Sequence, residues 1–343
     1  MNIPHSAPQI TNQGFNNLNL VLQSGMIAKG TETFSFEEEF STFTDFNFVK
    51  ATTSGTAALI VAFKALGIGP GNEVILPTYV CKSVLHAVYA VGAKGVLCDI
   101  GDGWVMNYDS VHPLINQNTK AIVAVHIFGI SVKTEDLVST GVPVIEDCCQ
   151  SLGFLGDGSL IGAKGDISIY SLHATKCLPA GEGGIIATNR ADLGKEIDNI
   201  SEGNKIYFNL SDISSTLARS QLSKYNQVLE RRIQIAEKYF KLLPQECTQP
   251  LWDARESSMF FRFPLRWLKN IAETIIWFDS KGIQVRRGVD ALLHRLVHLE
   301  DDAFPNSVKA YEGTLSIPIL PQLSPSQIQY ICQQVQANLN PNN

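Results

Sequence analysis

Several common signals are missing from this sequence, and each absence excludes something. There is no run of lysine or arginine: 27 basic residues are spread among 33 acidic ones, charged residues make up only 17% of the chain, and the formal net charge is −6. Nucleic acid or an anionic membrane is therefore not expected as the main partner. No apolar stretch reaches the roughly 18 residues needed to span a bilayer. The opening "MNIPHSAPQITNQGF" is polar and has no apolar core of a secretory signal. The seven cysteines (81, 98, 148, 149, 177, 247 and 332) are an odd, scattered set without a C-x-x-C pair. That favours reduced thiols in a cytoplasmic protein over a disulfide framework or zinc site. The seven histidines lack metal-ligand spacing, so no metal is expected. No strand is followed by G-x-G-x-x-G, which sets aside a nicotinamide dehydrogenase. There is no internal repeat, and only the "NPNN" tail is of low complexity.

What is present is apolar and alternating. Hydrophobic residues are 45% of 343, enough for a large core and, by length, about two domains. Short β-branched runs ("FVKATT", "EVILPT", "KGVLCDI", "KAIVAVHIFG", "VPVIEDCC", "DISIYSL", "GIIATN") are strand candidates. Between several of them lie helical patterns such as "TAALIVAFKALG" and "CKSVLHAVYAVG". Strands buried on both faces and alternating with helices predict an α/β domain with a mostly parallel sheet. The segment "SDISSTLARSQLSKYNQVLERRIQIAEKYFKLL" reads as long helix, broken once and ended by Pro244. Shorter mixed segments follow, up to a last helix opened by Ser324 and Pro325. A large domain is expected over 1–245, with its first 30 or so residues packing on a smaller α+β domain over 246–343.

Three local features stand out. "TSGTAAL" puts Ser54, Gly55 and Thr56 at a strand-to-helix turn, where free N–H groups suit a phosphate. The plain alternative is an ordinary helix N-cap. "VPVIEDCCQ" ends an apolar strand in Glu146–Asp147. A carboxylate at such a strand end faces the ligand crevice of a parallel sheet and is costly without a cationic partner. In "SLHATKCLPAGEGG", Lys176 stands between an apolar strand and a glycine turn. Taken singly it would be a snorkelling surface lysine. The three features together, in this order, point to a cofactor site.

With these in view, the sequence resembles the DegT/StrS-type sugar aminotransferases, fold-type I enzymes that use pyridoxal 5′-phosphate (PLP). The likeness covers nearly the whole chain, through "SGMIAKG", "SGTAAL", "LGIGPGNEVILPTY", "AVHIFG", "VIEDCCQSLG", "IGAKGDISIYSLHATK", "GEGG", "ERRIQIAEKY" and "LSIPILPQLS". It implies that Lys176 binds PLP as a Schiff base and moves the proton. It implies that Asp147 pairs with the pyridinium nitrogen, keeping the ring an electron sink. Gln150 would lie near the phenolic oxygen, Cys149 against the ring, and Gly55, Thr56 and Ser171 at the phosphate. The ring-stacking position falls on Cys81, with Tyr79 as the nearby aromatic to replace it. Substrate contacts are implied at Met26, Ile27, His173 and Arg286. The partners implied are a keto substrate, an amino-acid donor such as glutamate, and a second subunit in a homodimer.

Departures concentrate on the sugar side. The asparagine that reaches a partner subunit's phosphate falls on Tyr207, the following arginine on Asn209, and a late histidine on Gly288. They weaken the inference of a nucleotide-linked ketosugar and leave a keto-cyclitol open. A catalytically silent PLP-binding sensor is the other class of reading; the retained Lys176, Asp147 and Gln150 argue against it. Sugar dehydration is disfavoured by Lys176, which dehydrating members have lost.

Overall fold

The computed structural model describes residues 2–202 and 208–339, so Tyr207 lies outside the described residues. The seven apolar runs form a single sheet. Its strands are β1 (Phe48–Thr52), β2 (Glu73–Pro77), β3 (Lys94–Cys98), β4 (Thr119–Val125), β5 (Val144–Asp147), β6 (Ile167–Ser171) and β7 (Gly184–Thr188), in the order β1-β7-β6-β5-β4-β2-β3. The five from β6 to β3 are parallel; β7 and β1 close one edge antiparallel. Helices Gly55–Ala65 and Lys82–Ala90 connect the early strands, and both their apolar faces and the strands are buried in the main core. The fold class expected from the alternating pattern is the one observed.

The register sets up the site. Thr52 pairs with Gly184, and Gly184 pairs with Ser171, so the ends of β1 and β6 flank the start of β7. Asp147 is aligned with Ile169 on the next strand. Glycine is required at 184, because a Cβ there would lie 2.4 Å from the Ser54 carbonyl carbon.

The long helix breaks once, as the sequence suggests, into Asp212–Leu222 and Tyr225–Leu242, and Pro244 follows. A three-stranded antiparallel sheet comes next: β8 (Phe263–Arg266), β9 (Arg286–Arg287) and β10 (Thr314–Ile317), in the order β8-β10-β9. The last helix, Pro325–Leu339, is capped reciprocally: Ser324 Oγ accepts from Gln327 N (3.2 Å) and Ser324 N donates to Gln327 Oε1 (2.9 Å). The chain's start reaches this region too: Ile3 bridges Ile283 in parallel, and His5 Nε2 lies 2.9 Å from Ser316 Oγ. Three buried polar contacts fasten the two sheets' surroundings. Asp99 caps the helix Pro305–Gly313 through Asn306 N and Ser307 N, Trp104 Nε1 donates to Thr314 Oγ1, and Thr78 Oγ1 meets His294 Nδ1. Among the described residues, no helix is long and apolar enough to cross a membrane.

Candidate active site

The phosphate turn, the carboxylate strand and the lysine loop converge at one end of the sheet. Ser54 Oγ caps the helix Gly55–Ala65 by accepting from Ala57 N (3.1 Å). A Cβ at Gly55 would stand 2.7 Å from Cys149 Sγ and 3.4 Å from Ser171 Cβ. The turn, the wall at Cys149 and the serine of β6 are therefore immediate neighbours, and Gly55 is what lets them approach.

Asp147 is 5% exposed at the end of β5. Its Oδ1 accepts from Cys149 N (3.0 Å), and among the described residues it makes no ion pair. A carboxylate buried without a cation is costly unless a ligand brings the charge. The thiol of Cys149 is pushed well up, first by burial and then by the charge of Asp147, so it is a neutral wall and not a nucleophile. Gln150 Oε1 accepts from Phe128 N (3.0 Å), which leaves its NH2 free to donate into the site. The residues present thus fit PLP: a phosphate turn, an unpaired buried carboxylate for a protonated ring nitrogen, an amide donor and a lysine.

Glu146, beside Asp147, serves the fold instead. Its Oε2 accepts from His126 Nε2 (2.9 Å) and Thr134 Oγ1 (2.8 Å), and its Oε1 from Lys164 N (2.8 Å). His126 Nδ1 accepts from Val132 N (3.0 Å), which leaves Nε2 as the donor to Glu146. Burial, the largest influence, works to raise the Glu146 pKa. The bonds from His126, Gly165 and Thr134 outweigh it and hold the group below its ordinary value.

Lys176 follows β6 on a loop whose backbone turns at His173 (Lys176 N to His173 O, 2.8 Å). Its Nζ lies 5.4 Å from the centre of the Phe261 ring. Phe261 comes from a segment the sequence analysis did not single out. Met259 N donates to Gly129 O (2.9 Å) and Arg262 N to Phe128 O (3.2 Å), tying residues 259–262 to the turn after β4. That turn is strained: Phe128 has φ +59° and Gly129 φ +87°. Side chains other than hydrogen are excluded at 129, because a Cβ would stand 2.7 Å from Phe261 N.

Of the remaining expected residues, Cys81 lies within electrostatic reach of Cys149 and Arg262. Cys81 is exposed at the start of the helix Lys82–Ala90, and its Sγ accepts from Ser83 Oγ (3.2 Å). Tyr79, the nearby aromatic, is packed into the protein. It is 1% exposed, edge-on to Phe128 at 6.2 Å, and its hydroxyl fills the space over Gly288, where a Cβ would lie only 1.9 Å away. Burial raises its phenol pKa. The glycine at 288 and the tyrosine at 79 are thus one packing unit. His173 is exposed, with Nδ1 2.9 Å from Thr175 Oγ1 and Nε2 3.7 Å from Glu182 Oε1. Arg286 is exposed on β9, on the side of Arg262 whose pKa its charge lowers. Met26 and Ile27 are exposed and line a separate cavity of about 1230 Å³ that also touches Thr216 and Arg219; within one chain they do not meet Lys176.

Comparison with known proteins decides the family. The sequence pattern of the DegT/DnrJ/EryC1/StrS aminotransferase family matches residues 8–336. The chain belongs to that family. The spore coat polysaccharide biosynthesis protein SpsC of Bacillus subtilis is 26% identical over an alignment of 386 residues, covering 97% of this chain and 96% of SpsC. The UDP-4-amino-4-deoxy-L-arabinose–oxoglutarate aminotransferase of Shewanella sediminis is 30% identical over 268 residues, covering 70% of this chain and 69% of that enzyme. The solved PLP form of Spr1654 from Streptococcus pneumoniae superposes with a TM-score of 0.89 at 23% identity, covering 98% of each chain. This DegT-family chain therefore carries the aminotransferase fold over its full described length.

Proposed function

We propose that this member of the aminotransferase family uses PLP to convert a ketosugar to an aminosugar, with an amino acid such as glutamate as donor. One observation carries the reading: among the described residues a buried carboxylate, Asp147, makes no ion pair, beside a helix-opening turn and a lysine loop. The names of the relatives, a spore coat polysaccharide protein and an aminoarabinose aminotransferase, support aminosugar formation.

When bound, PLP supplies the sink for electrons released at the amino carbon. In this reading Gly55, Thr56 and Ser171 would hold its phosphate. Asp147 holds the proton on the ring nitrogen. Gln150, fixed by Phe128 N–H, donates toward the phenolic oxygen. Lys176 would hold the cofactor, and its amine would move the proton at the amino carbon of the substrate, where delivery within one site is efficient. The test is the loss of visible absorbance with an amino donor and its return with a ketosugar. If no amino donor bleaches the loaded protein, the reading fails and a silent sensor replaces it. The tyrosine filling the space over Gly288 favours one second reading, a keto substrate without a nucleotide, such as a keto-cyclitol. Return of the absorbance with cyclitol ketones alone would select it.

We also propose a cytoplasmic homodimer built on a large domain over 1–245 and a small one over 246–343. The seven cysteines are all unpaired, in keeping with a reducing compartment. Phe15, Leu20, Leu22, Met26, Ile27 and Phe34 are all exposed near the chain's start, an apolar set that a second copy would cover. Sedimentation of a fully active monomer would refute the dimer.

A further inference from the structure

Beside Lys176 opens a cavity of about 370 Å³, between the N-terminal residues, the helix Tyr225–Leu242 and the loop after β10. Lys176, Lys224, Arg231, Arg232 and Arg262 all line it, and no aspartate or glutamate does. Among the described residues, none of these five cations makes an ion pair.

Three of them crowd one residue, Phe261. Lys176 Nζ is 5.4 Å and Arg262 Cζ 5.8 Å from its ring centre, and Arg232 Nη1 donates to its carbonyl at 2.9 Å. Arg232 is 7% exposed, and its Nε has no hydrogen-bond partner. The field of these charges is felt nearby. The pKa of His5, at the cavity's edge, is pulled well down by burial and then by Arg262, Arg286 and Arg232. That of Arg262, whose Nη1 also donates to Gly288 O (3.1 Å), is pulled down by burial and then by Arg286, against the opposing charge of Asp290. Of the five, Arg232 is buried, Lys176, Arg231 and Arg262 are half-buried, and Lys224 is exposed; a buried cation beside others favours an anion that balances them.

We propose that this cavity seats the amino donor, with Arg262, supported by Arg232, gripping a carboxylate of a dicarboxylic amino acid whose amino group then reaches Lys176. The proposal rests on the aminotransferase reading and assigns residues to its first half. Planar guanidinium forks match a carboxylate two bonds at a time. The apolar side chains of Phe261, Ile319 and Leu320 offer a surface to the methylenes between the charges. A phosphate of the acceptor shares the anionic chemistry and is the competing source.

The experiment titrates the PLP-loaded protein calorimetrically with glutarate, a five-carbon dicarboxylate with no amine to react. Glutarate is expected to bind and to compete with glutamate in bleaching. Arg262→Gln should weaken glutarate roughly tenfold, the loss of one charge-assisted pair. It should raise the KM for glutamate more than it lowers kcat. Arg262→Lys, which keeps the charge but not the fork, should bind more weakly than wild type, and it decides the matter if the glutamine variant does not fold. Unchanged glutarate affinity in a folded Arg262 variant overturns the proposal. So does binding of pyrophosphate but not glutarate, which would give the cavity to the acceptor. Failure of the underlying reading looks different: glutarate would bind through Arg262 while no amino acid bleached the protein.

Discussion

Asp147 and Arg262 border the same candidate site, and they carry opposite charges. Among the described residues Asp147 is a buried carboxylate with no ion pair, and Arg262 belongs to a group of cations with no ion pair, the charge of Asp290 reaching it without a bridge. In the proposed reading each side is completed by a ligand of the matching charge. The difference lies in construction. The anion side is built from strand ends of one sheet, with small residues and glycines letting backbones approach. The cation side is assembled across the molecule, from the chain's first residues, the long helix, the segment at 259–262 and the loop after β10.

Breaking the link between the two sides should have the largest effect. Lys176→Ala is expected to lose covalent cofactor and to lower turnover by about 10³-fold or more, the scale of a missing acid–base group. Borohydride reduction followed by peptide mass analysis checks it, and cofactor trapped on another lysine would defeat the assignment. On the anion side alone, Asp147→Asn should keep the fold and most of the cofactor but lose roughly 10²-fold in turnover, as when one preorganised electrostatic partner is removed. Near wild-type rates would show that the buried carboxylate does not serve the ring nitrogen. At the junction behind the cation side, Gly288→Ala should cost about 1–3 kcal/mol by overpacking against the Tyr79 hydroxyl. Tyr79→Phe in the same chain should recover much of that. Urea unfolding of the single and double variants measures the coupling, and simple additivity would disprove the shared space.

The smallest effect separates Glu146 from its neighbour Asp147. The folded-state pKa of Glu146 lies below the ordinary 4.5, so its ionised form stabilises the fold above that value. This contribution is lost as pH falls through the folded pKa. The stability gap between wild type and Glu146→Gln should therefore narrow on going from neutral pH to well below 4.5. A gap that stays constant would mean that the carboxylate's charge plays no part.

The anion side was legible in the sequence because its determinants are local. An apolar run ending in Glu-Asp, a Ser-Gly-Thr before a helical pattern, and a lysine five residues after a strand serine are all short-range signals. They also brought in the family resemblance. The cation side was not, because its residues come from positions 5 to 322 and meet only through tertiary packing. "SSMFFRFPL" reads as a strand, and nothing in it marks Arg262. Arg232 left a trace that went unread. It falls on the buried stripe of Leu229, Ala236 and Tyr239, where helical periodicity puts apolar residues, so an arginine there was a signal of function or strain. Tyr79 is a related case: proximity in sequence to Cys81 suggests one role, and packing against Gly288 is a contact that only the fold reveals.

The pairing of Ile3 with Ile283 has a consequence for how the molecule comes into being. A chain emerging from the ribosome can lay down the large sheet, and with it the turn at Gly55, the carboxylate of Asp147 and Lys176, from residues already made. The donor cavity needs both extremities of the polypeptide, since His5 to Gln9 form one wall and Ile319 to Gln322 another. These contacts span nearly the full length of the chain and are among the last that topology allows to form. In the proposed reading, the residues of the cofactor place are all synthesised before those that complete the donor place.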